Sequence, residues 1–230
     1  MSSECPAAPP GAGSFQVHTT TLAKGRALFR FHRTIPNYPA NSFNPNAGKH
    51  IDIPEEGSRF NPFPGPFSVN IPTLYAADTF VAAALESVFH DVEHVPSPTY
   101  LESQFSAWTY SRLRTKRKLV VFKLVNPRLR SIAVPGRDSS ITESELVHTL
   151  AAEYPHTRSW ARYLHSTLST IDGLGWRPRL GGSGTAYVFF GDRCDGELEI
   201  ESPGISIAGG SGLAKIRAVA RDAGIVLIEP

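Results

Sequence analysis

The segments Gly57-Ser58-Arg59-Phe60-Asn61-Pro62 and Thr73-Leu74-Tyr75-Ala76-Ala77-Asp78, followed by Glu86, set a guanidinium, an aromatic ring and a carboxylate on closely spaced stretches of chain. Such a set suits cleavage of an N-glycosidic bond on a phosphorylated nucleotide. A planar cation matches pyrophosphate, a ring stacks on a base, and one anion stabilises the cation that develops on the sugar. Each residue also has a plainer reading. Glu86 follows Leu85, the centre of an apolar helical stripe, and so lies about 100° round the helix, on its flank. There it is either a solvated glutamate or a ligand group beside the small Ala82. Arg30, in Leu28-Phe29-Arg30-Phe31, points to the same side as Leu28, toward a structural carboxylate or toward a phosphate. Arg59 is a surface loop cation or a site residue, and Tyr75 a core aromatic at a strand end or a site ring.

The elements that must carry these residues are short and mixed. Ala27–Phe31 and Thr73–Ala76 read as strands, separated by a long loop, Pro36 to Pro72, rich in Asn, Pro and Gly; a connection of that size points to a functional loop or lid. Asp78 is a fitting N-cap for a helix from Thr79 to Val92 with Val81, Leu85, Val88, Phe89 and Val92 on its apolar face. Leu119–Leu124 and Ser131–Val134 read as strands. Thr142-Glu143-Ser144-Glu145 opens a helix that Pro155 ends, and a second helix runs from His156 to Thr170. Gly173–Trp176 and Ala186–Phe190 form two arms of a hairpin around the turn Gly181-Gly182-Ser183-Gly184. A strand at Leu198–Glu201, a helix at Leu213–Ala223 and a strand at Ile225–Ile228 close the chain. This alternation is α+β rather than a βαβ series. Three regions follow: a disordered Ala/Pro/Gly/Ser tail over 1–20, a principal domain over 21–195, and a C-terminal extension over 196–230 packed on it.

Bulk properties exclude several classes. Lys+Arg 23 against Asp+Glu 21 demands neither a nucleic-acid nor a membrane partner. Cys5 and Cys194 are too few for a disulfide framework and fit a reducing cytoplasm. No membrane span or secretory leader is evident, so a soluble, cytoplasmic protein is expected. The eight histidines are dispersed, which argues against a metal site; His90 and His94 are spaced i, i+4 but read as solvated residues. No nucleotide-binding glycine loop or hydrolase elbow is present. The basic run Arg112 to Lys118 reads as a solvated loop before a strand.

In order and spacing, the Leu28-Phe29-Arg30 strand, the Gly57-Ser58-Arg59-Phe60-Asn61 loop and the Leu74-Tyr75-Ala76 strand before Glu86 resemble the RES domain family, named for its Arg, Glu and Ser residues. The likeness covers about Leu22 to Asp192. The family loop reads Gly-Gly-Arg-Trp-Asn, so Ser58 and Phe60 are mild departures. Its late Gly-apolar-x-aromatic-x-Ser-Arg segment corresponds to Gly173-Leu174-Gly175-Trp176-Arg177-Pro178-Arg179, which puts Pro178 in place of the serine; Ser183 is the nearest substitute hydroxyl. The resemblance implies an ADP-ribosyltransferase-like fold of two small, split, mostly antiparallel sheets with a cleft between them and helices outside. It implies NAD as a consumed substrate, no metal, and a toxin that hydrolyses or phosphorolyses NAD. A helix-turn-helix antitoxin would cover the site, and a homo-oligomer is left open. Glu86 would stabilise the ribose cation, Arg30 and Arg59 would clamp the phosphates, Tyr75 would position the nicotinamide, and Asn61 would complete the binding set. Two rival functions stand beside this one: ADP-ribosyl transfer to a protein or nucleic acid, and a catalytically silent nucleotide-binding module.

Overall fold

A computed structural model describes residues 4–9, 15, 17–35, 38–44, 53, 57–65, 69–92 and 95–229. Its strands are β1 (Thr19–Leu22), β2 (Ala27–Arg33), β3 (Thr73–Ala77), β4 (Thr99–Leu101), β5 (Trp108–Thr115), β6 (Leu119–Lys123), β7 (Gly173–Trp176), β8 (Ala186–Phe190), β9 (Leu198–Ser206) and β10 (Val226–Ile228). The helices are α1 (Phe80–Leu85), α2 (Glu143–Val147), α3 (Tyr154–Thr167), α4 (Gly191–Cys194) and α5 (Gly210–Asp222). The protein is mixed α+β. Eight strands form one sheet in the order β1-β6-β7-β8-β3-β2-β5-β9, antiparallel except for the β6–β7 pair, and β10 and β4 form a small parallel pair.

Two separate small sheets were expected, and the single eight-stranded sheet corrects this. Its halves nonetheless share a single pair of backbone positions. β3 pairs with β8 along its whole length and β2 with β5 along its whole length, whereas β2 and β3 meet only at Phe29 and Ala77. Beyond that pair the strands part, and the cleft opens between them. The core does not divide with them, since two of its three apolar clusters cross that seam. One apolar cluster lies beneath β6–β8 against α2 and α3 with Trp160 and Trp176; another joins α1 and α5 to Phe31 and Tyr110. A third covers the opposite sheet face with Leu28, Leu74 and Phe189.

Several expected element boundaries move, each for a local reason. Thr79, not Asp78, caps α1, its hydroxyl accepting from Ala82 N at 3.1 Å; Asp78 instead accepts from Thr185 N at 2.7 Å. The helix stops at Leu85 rather than Val92, and a chain of turns continues to Val92. Residues 131–134 do not make a strand: a 3-10 turn over Arg128–Ser131 precedes one bridge between Ala133 and Ser140. Pro155 begins α3 instead of ending the preceding helix, because the first turn of a helix has no use for the N–H that proline lacks. Thr142 and Glu145 form a reciprocal capping box at the start of α2. Within the expected tail, Cys5 is buried in the core, Trp160 Nε1 donates to Pro6 O at 2.8 Å, and β1 already pairs with β6 from Thr19. The C-terminal segment supplies the sheet edge β9 and buries Ile216, Val219 and Ala220 of α5. Among the described residues no helix is long and apolar enough to cross a membrane.

Candidate functional site

The loop carrying Arg59 is fastened from three directions. Ser58 N donates to Asn61 O at 2.7 Å, closing a tight turn. The Tyr75 hydroxyl, reaching from β3, accepts from Phe60 N at 3.1 Å and from Ser58 Oγ at 2.8 Å. From α3, the fully buried Arg158 donates Nε to Ser58 O at 3.1 Å and Nη1 to Ile53 O at 2.9 Å, while the Thr157 hydroxyl donates to Arg59 O. Phe60 seals the base of the loop against Trp176, ring centres 5.0 Å apart. Gly57 is required by close approach: a Cβ there would overlap Asn61 O and the Pro62 ring. Gly57→Ala is therefore expected to destabilise the protein by about 1–3 kcal/mol, the usual cost of forcing extra volume into a packed site. Urea unfolding measures it, and a change below about 0.5 kcal/mol would show that the loop is slack.

Glu86 lies where α1 ends, as its C-cap, and three buried alanines (82–84) bring that helix close to the sheet. Its carboxylate is held at both oxygens. Arg59 Nη1 donates to Oε2 at 3.2 Å and the Arg179 backbone N–H to Oε1 at 3.2 Å. The pair is nearly sealed from solvent, with side-chain exposures of 3% for Arg59 and 8% for Glu86. Arg59 Nη2 lies 3.3 Å from His90 Nε2, its guanidinium stands over the Tyr154 ring at 6.0 Å, and its buried Nε has no partner among the described residues. The His90 tautomer follows from its neighbours. Asp91 Oδ1 sits 2.7 Å from Nδ1 and a carboxylate only accepts, so Nδ1 carries hydrogen and Nε2 accepts from Arg59 and from the Tyr154 hydroxyl at 3.1 Å. The same bond holds the Asp91 carboxyl below its ordinary range. Arg179 also ties the turn after α1, its Nη2 donating to His90 O and Val92 O.

Arg59, Glu86, His90 and Tyr154 line part of a cleft of about 1450 Å³ between the two sheet halves. Tyr75, Arg59, Glu86 and Arg30 all border it. Register through Phe29 and Ala77 puts Tyr75 on the face of Phe31 and Arg30 on the opposite face, with Leu28 and Ala76. They reach a common space because the strands part there. Arg30 Nη1 donates to the carbonyls of Ala40 at 2.8 Å and Ser42 at 2.6 Å, and burial lowers its guanidinium to about 10, still cationic at neutral pH. Its fixed partners are thus carbonyls, not a structural carboxylate. Burial pushes the Tyr75 phenol up to about 12, so it keeps its proton across the physiological range.

Other expected members stand differently. Asn61 is buried, bonded to Ser58 Oγ, and does not border the cleft; it closes the loop. Arg59 is engaged with Glu86 and His90 instead of standing free for a phosphate. Ser183 is exposed and outside the cleft, its carbonyl accepting from Thr79 Oγ1 at 2.9 Å. The segment with Pro178 in place of serine meets Glu86 through the Arg179 N–H. Ser183→Ala is accordingly expected to leave turnover within about twofold of the parent, as for surface changes worth under about 0.5 kcal/mol; a loss of activity would reinstate it. His94 lies outside the described residues. Tyr154, Arg158 and His90 went unmarked as site residues in the sequence, since their partners are distant in the chain or hidden in a helix end. Within the basic run, Arg112 and Arg114 pair with Glu201, and Arg117 with Asp172.

No curated protein matches the chain in sequence. The model of one family, the RES domain, matches residues 27–208, a span that takes in β2 through β9, both halves of the sheet and every residue of the Glu86 network. With the match covering most of the chain, this protein belongs to the RES domain family.

Proposed function

We propose that the protein consumes NAD by breaking the bond between nicotinamide and ribose, on an ADP-ribosyltransferase-like scaffold, and serves as the toxin of a toxin–antitoxin pair. The observation that carries this is the sequestered carboxylate of Glu86, held at one oxygen by Arg59 and at the other by a backbone N–H, at the wall of a cleft large enough for a dinucleotide. In the reaction, the C1′–N electron pair leaves with nicotinamide, turning the pyridinium cation into the neutral pyridine. Glu86 faces the ribosyl cation so formed, and because its position is fixed beforehand it reorganises little as charge develops. Water, or phosphate, adds its oxygen to C1′ and releases a proton to solvent. Arg30 is the cation suited to the diphosphate, and the Tyr75 ring borders the space for nicotinamide. Arg59 is a positioning residue that orients Glu86. Pairing of Arg112 and Arg114 with Glu201 and of Arg117 with Asp172 leaves these arginines less free to hold a macromolecular acceptor.

Nicotinamide release from NAD by the purified protein is the test, run in buffer alone, with phosphate, and with candidate acceptor proteins and nucleic acids. Release in buffer or with phosphate, yielding ADP-ribose or its 1-phosphate, is expected. Label appearing on an acceptor would make the protein a transferase, and binding without release would make it a nucleotide-binding module. Either outcome would overturn the proposal.

A further inference from the structure

The cleft continues well past the Glu86 network. Pockets for single drug-sized ligands run about 300–1,000 Å³, and this one is larger. At its far end β2 finishes with Arg33, opposite Trp108, the first residue of β5. The Arg33 guanidinium lies over the Trp108 indole at 4.1 Å. Arg33 is exposed and, among the described residues, makes no ion pair with a carboxylate. Trp108 is half-buried, whereas Trp160 and Trp176 are fully buried. Tyr100 borders the same space and stacks on Phe105 at 5.4 Å. A planar cation backed by an indole, its outer face open, is a surface for a flat, electron-rich ring. Three residues of strand separate Arg33 from Arg30, about 10 Å at 3.3 Å per residue, which is the scale on which a diphosphate and a ribose separate a purine from the second sugar.

We propose that Arg33 and Trp108 form the purine-binding subsite of this cleft, on which the adenine of NAD stacks while its nicotinamide end lies at Tyr75 and Glu86. This rests on the NAD-consuming function proposed above. The subsite would make the enzyme selective for dinucleotides. Nicotinamide mononucleotide has the same scissile bond but no adenosine to reach Arg33.

The experiment compares kcat/KM for NAD and for nicotinamide mononucleotide in the parent, Trp108→Ala, Trp108→Phe and the Arg33→Ala/Trp108→Ala double variant. Stacking of one base on an aromatic side chain is worth about 1–3 kcal/mol, so the parent's preference for NAD is expected to fall about 5- to 150-fold in Trp108→Ala, chiefly through KM. Trp108→Phe should recover much of it, and the double variant should show the least preference. Equal losses on both substrates would make Trp108 a structural residue, and an unchanged preference would place adenine elsewhere; either overturns the subsite. If the parent releases nicotinamide from neither compound, the catalytic proposal fails while the subsite is still judged by AMP titration. AMP should quench the fluorescence of Trp108, the least buried of the three tryptophans, and do so at higher concentration in Arg33→Ala, which keeps the reporting ring. Absence of quenching in the parent would then refute the subsite as well.

Discussion

Glu86→Gln should lower NAD turnover by about 100- to 1,000-fold, the range found when one preorganised electrostatic stabiliser is removed. The change is chosen for what it preserves. A glutamine carbonyl can still accept from Arg179 N–H or from Arg59, so the buried guanidinium keeps a neighbour and the fold survives. Only the negative charge is lost. The effect should fall on kcat, with NAD binding by calorimetry shifted less than about threefold, because the charge it answers exists in the transition state and not in bound NAD. Turnover within tenfold of the parent would remove Glu86 from the chemistry. Glu86→Ala is less informative. It strands the Arg59 cation in a site nearly closed to water, and removal of one member of a buried pair costs about 3–5 kcal/mol of stability on its own.

Arg59 offers the second large effect, and two variants separate its contributions. Arg59→Met leaves the Glu86 carboxylate uncompensated and should destabilise the protein by about 3–5 kcal/mol, read by urea unfolding. Arg59→Lys keeps the charge but cannot reach Glu86 and His90 together, since an ammonium lacks the planar spread of a guanidinium. One charge-assisted hydrogen bond, about 1.5–3 kcal/mol, is then missing. If Arg59 orients Glu86, the lysine variant should show a kcat reduced at least about tenfold with KM nearly unchanged. A raised KM with normal kcat would mean that Arg59 leaves its partners to grip the diphosphate, the part expected of it from sequence alone.

The difference between those two parts for Arg59 shows where sequence reading ran out. The Gly57–Pro62 turn, the β3 strand with Tyr75 and the carboxylate at Glu86 were legible because each depends on near neighbours and on a spacing that survives without knowing the fold. What Arg59 touches was not, since His90 and Tyr154 reach it from elements 31 and 95 residues further along the chain. Arg158 was equally hidden: a lone arginine in the amphipathic pattern of α3 reads as solvent-facing until two carbonyls from another loop are seen to hold it. Pro155 was misread as a helix end because proline suits a first turn as well as it forbids an interior. Asp78 and Thr79 are both good caps, and the choice was made by Thr185, which claimed the aspartate. Pro178, in place of the family's serine, has no hydroxyl to offer, and the backbone N–H of the next residue, Arg179, meets Glu86, a contact no side-chain pattern announces.

The one-pair junction between β2 and β3 bears on how a ligand would act on the whole molecule. Tyr75 and Arg59 belong with the β3 half, Arg30, Arg33 and Trp108 with the β2 half, and Glu86 ends α1, whose apolar cluster joins it across the seam to Phe31 and Tyr110. A dinucleotide seated at both would work as a brace across the seam, adding restraint where the backbone supplies a single rung. The adenosine end alone, at Arg33 and Trp108, would grip only the β2 lobe. NAD-sized ligands should thus damp relative motion of the halves more than AMP does, beyond what their affinities alone confer through mass action. Amide exchange at Phe29 and Ala77 would register that bracing directly.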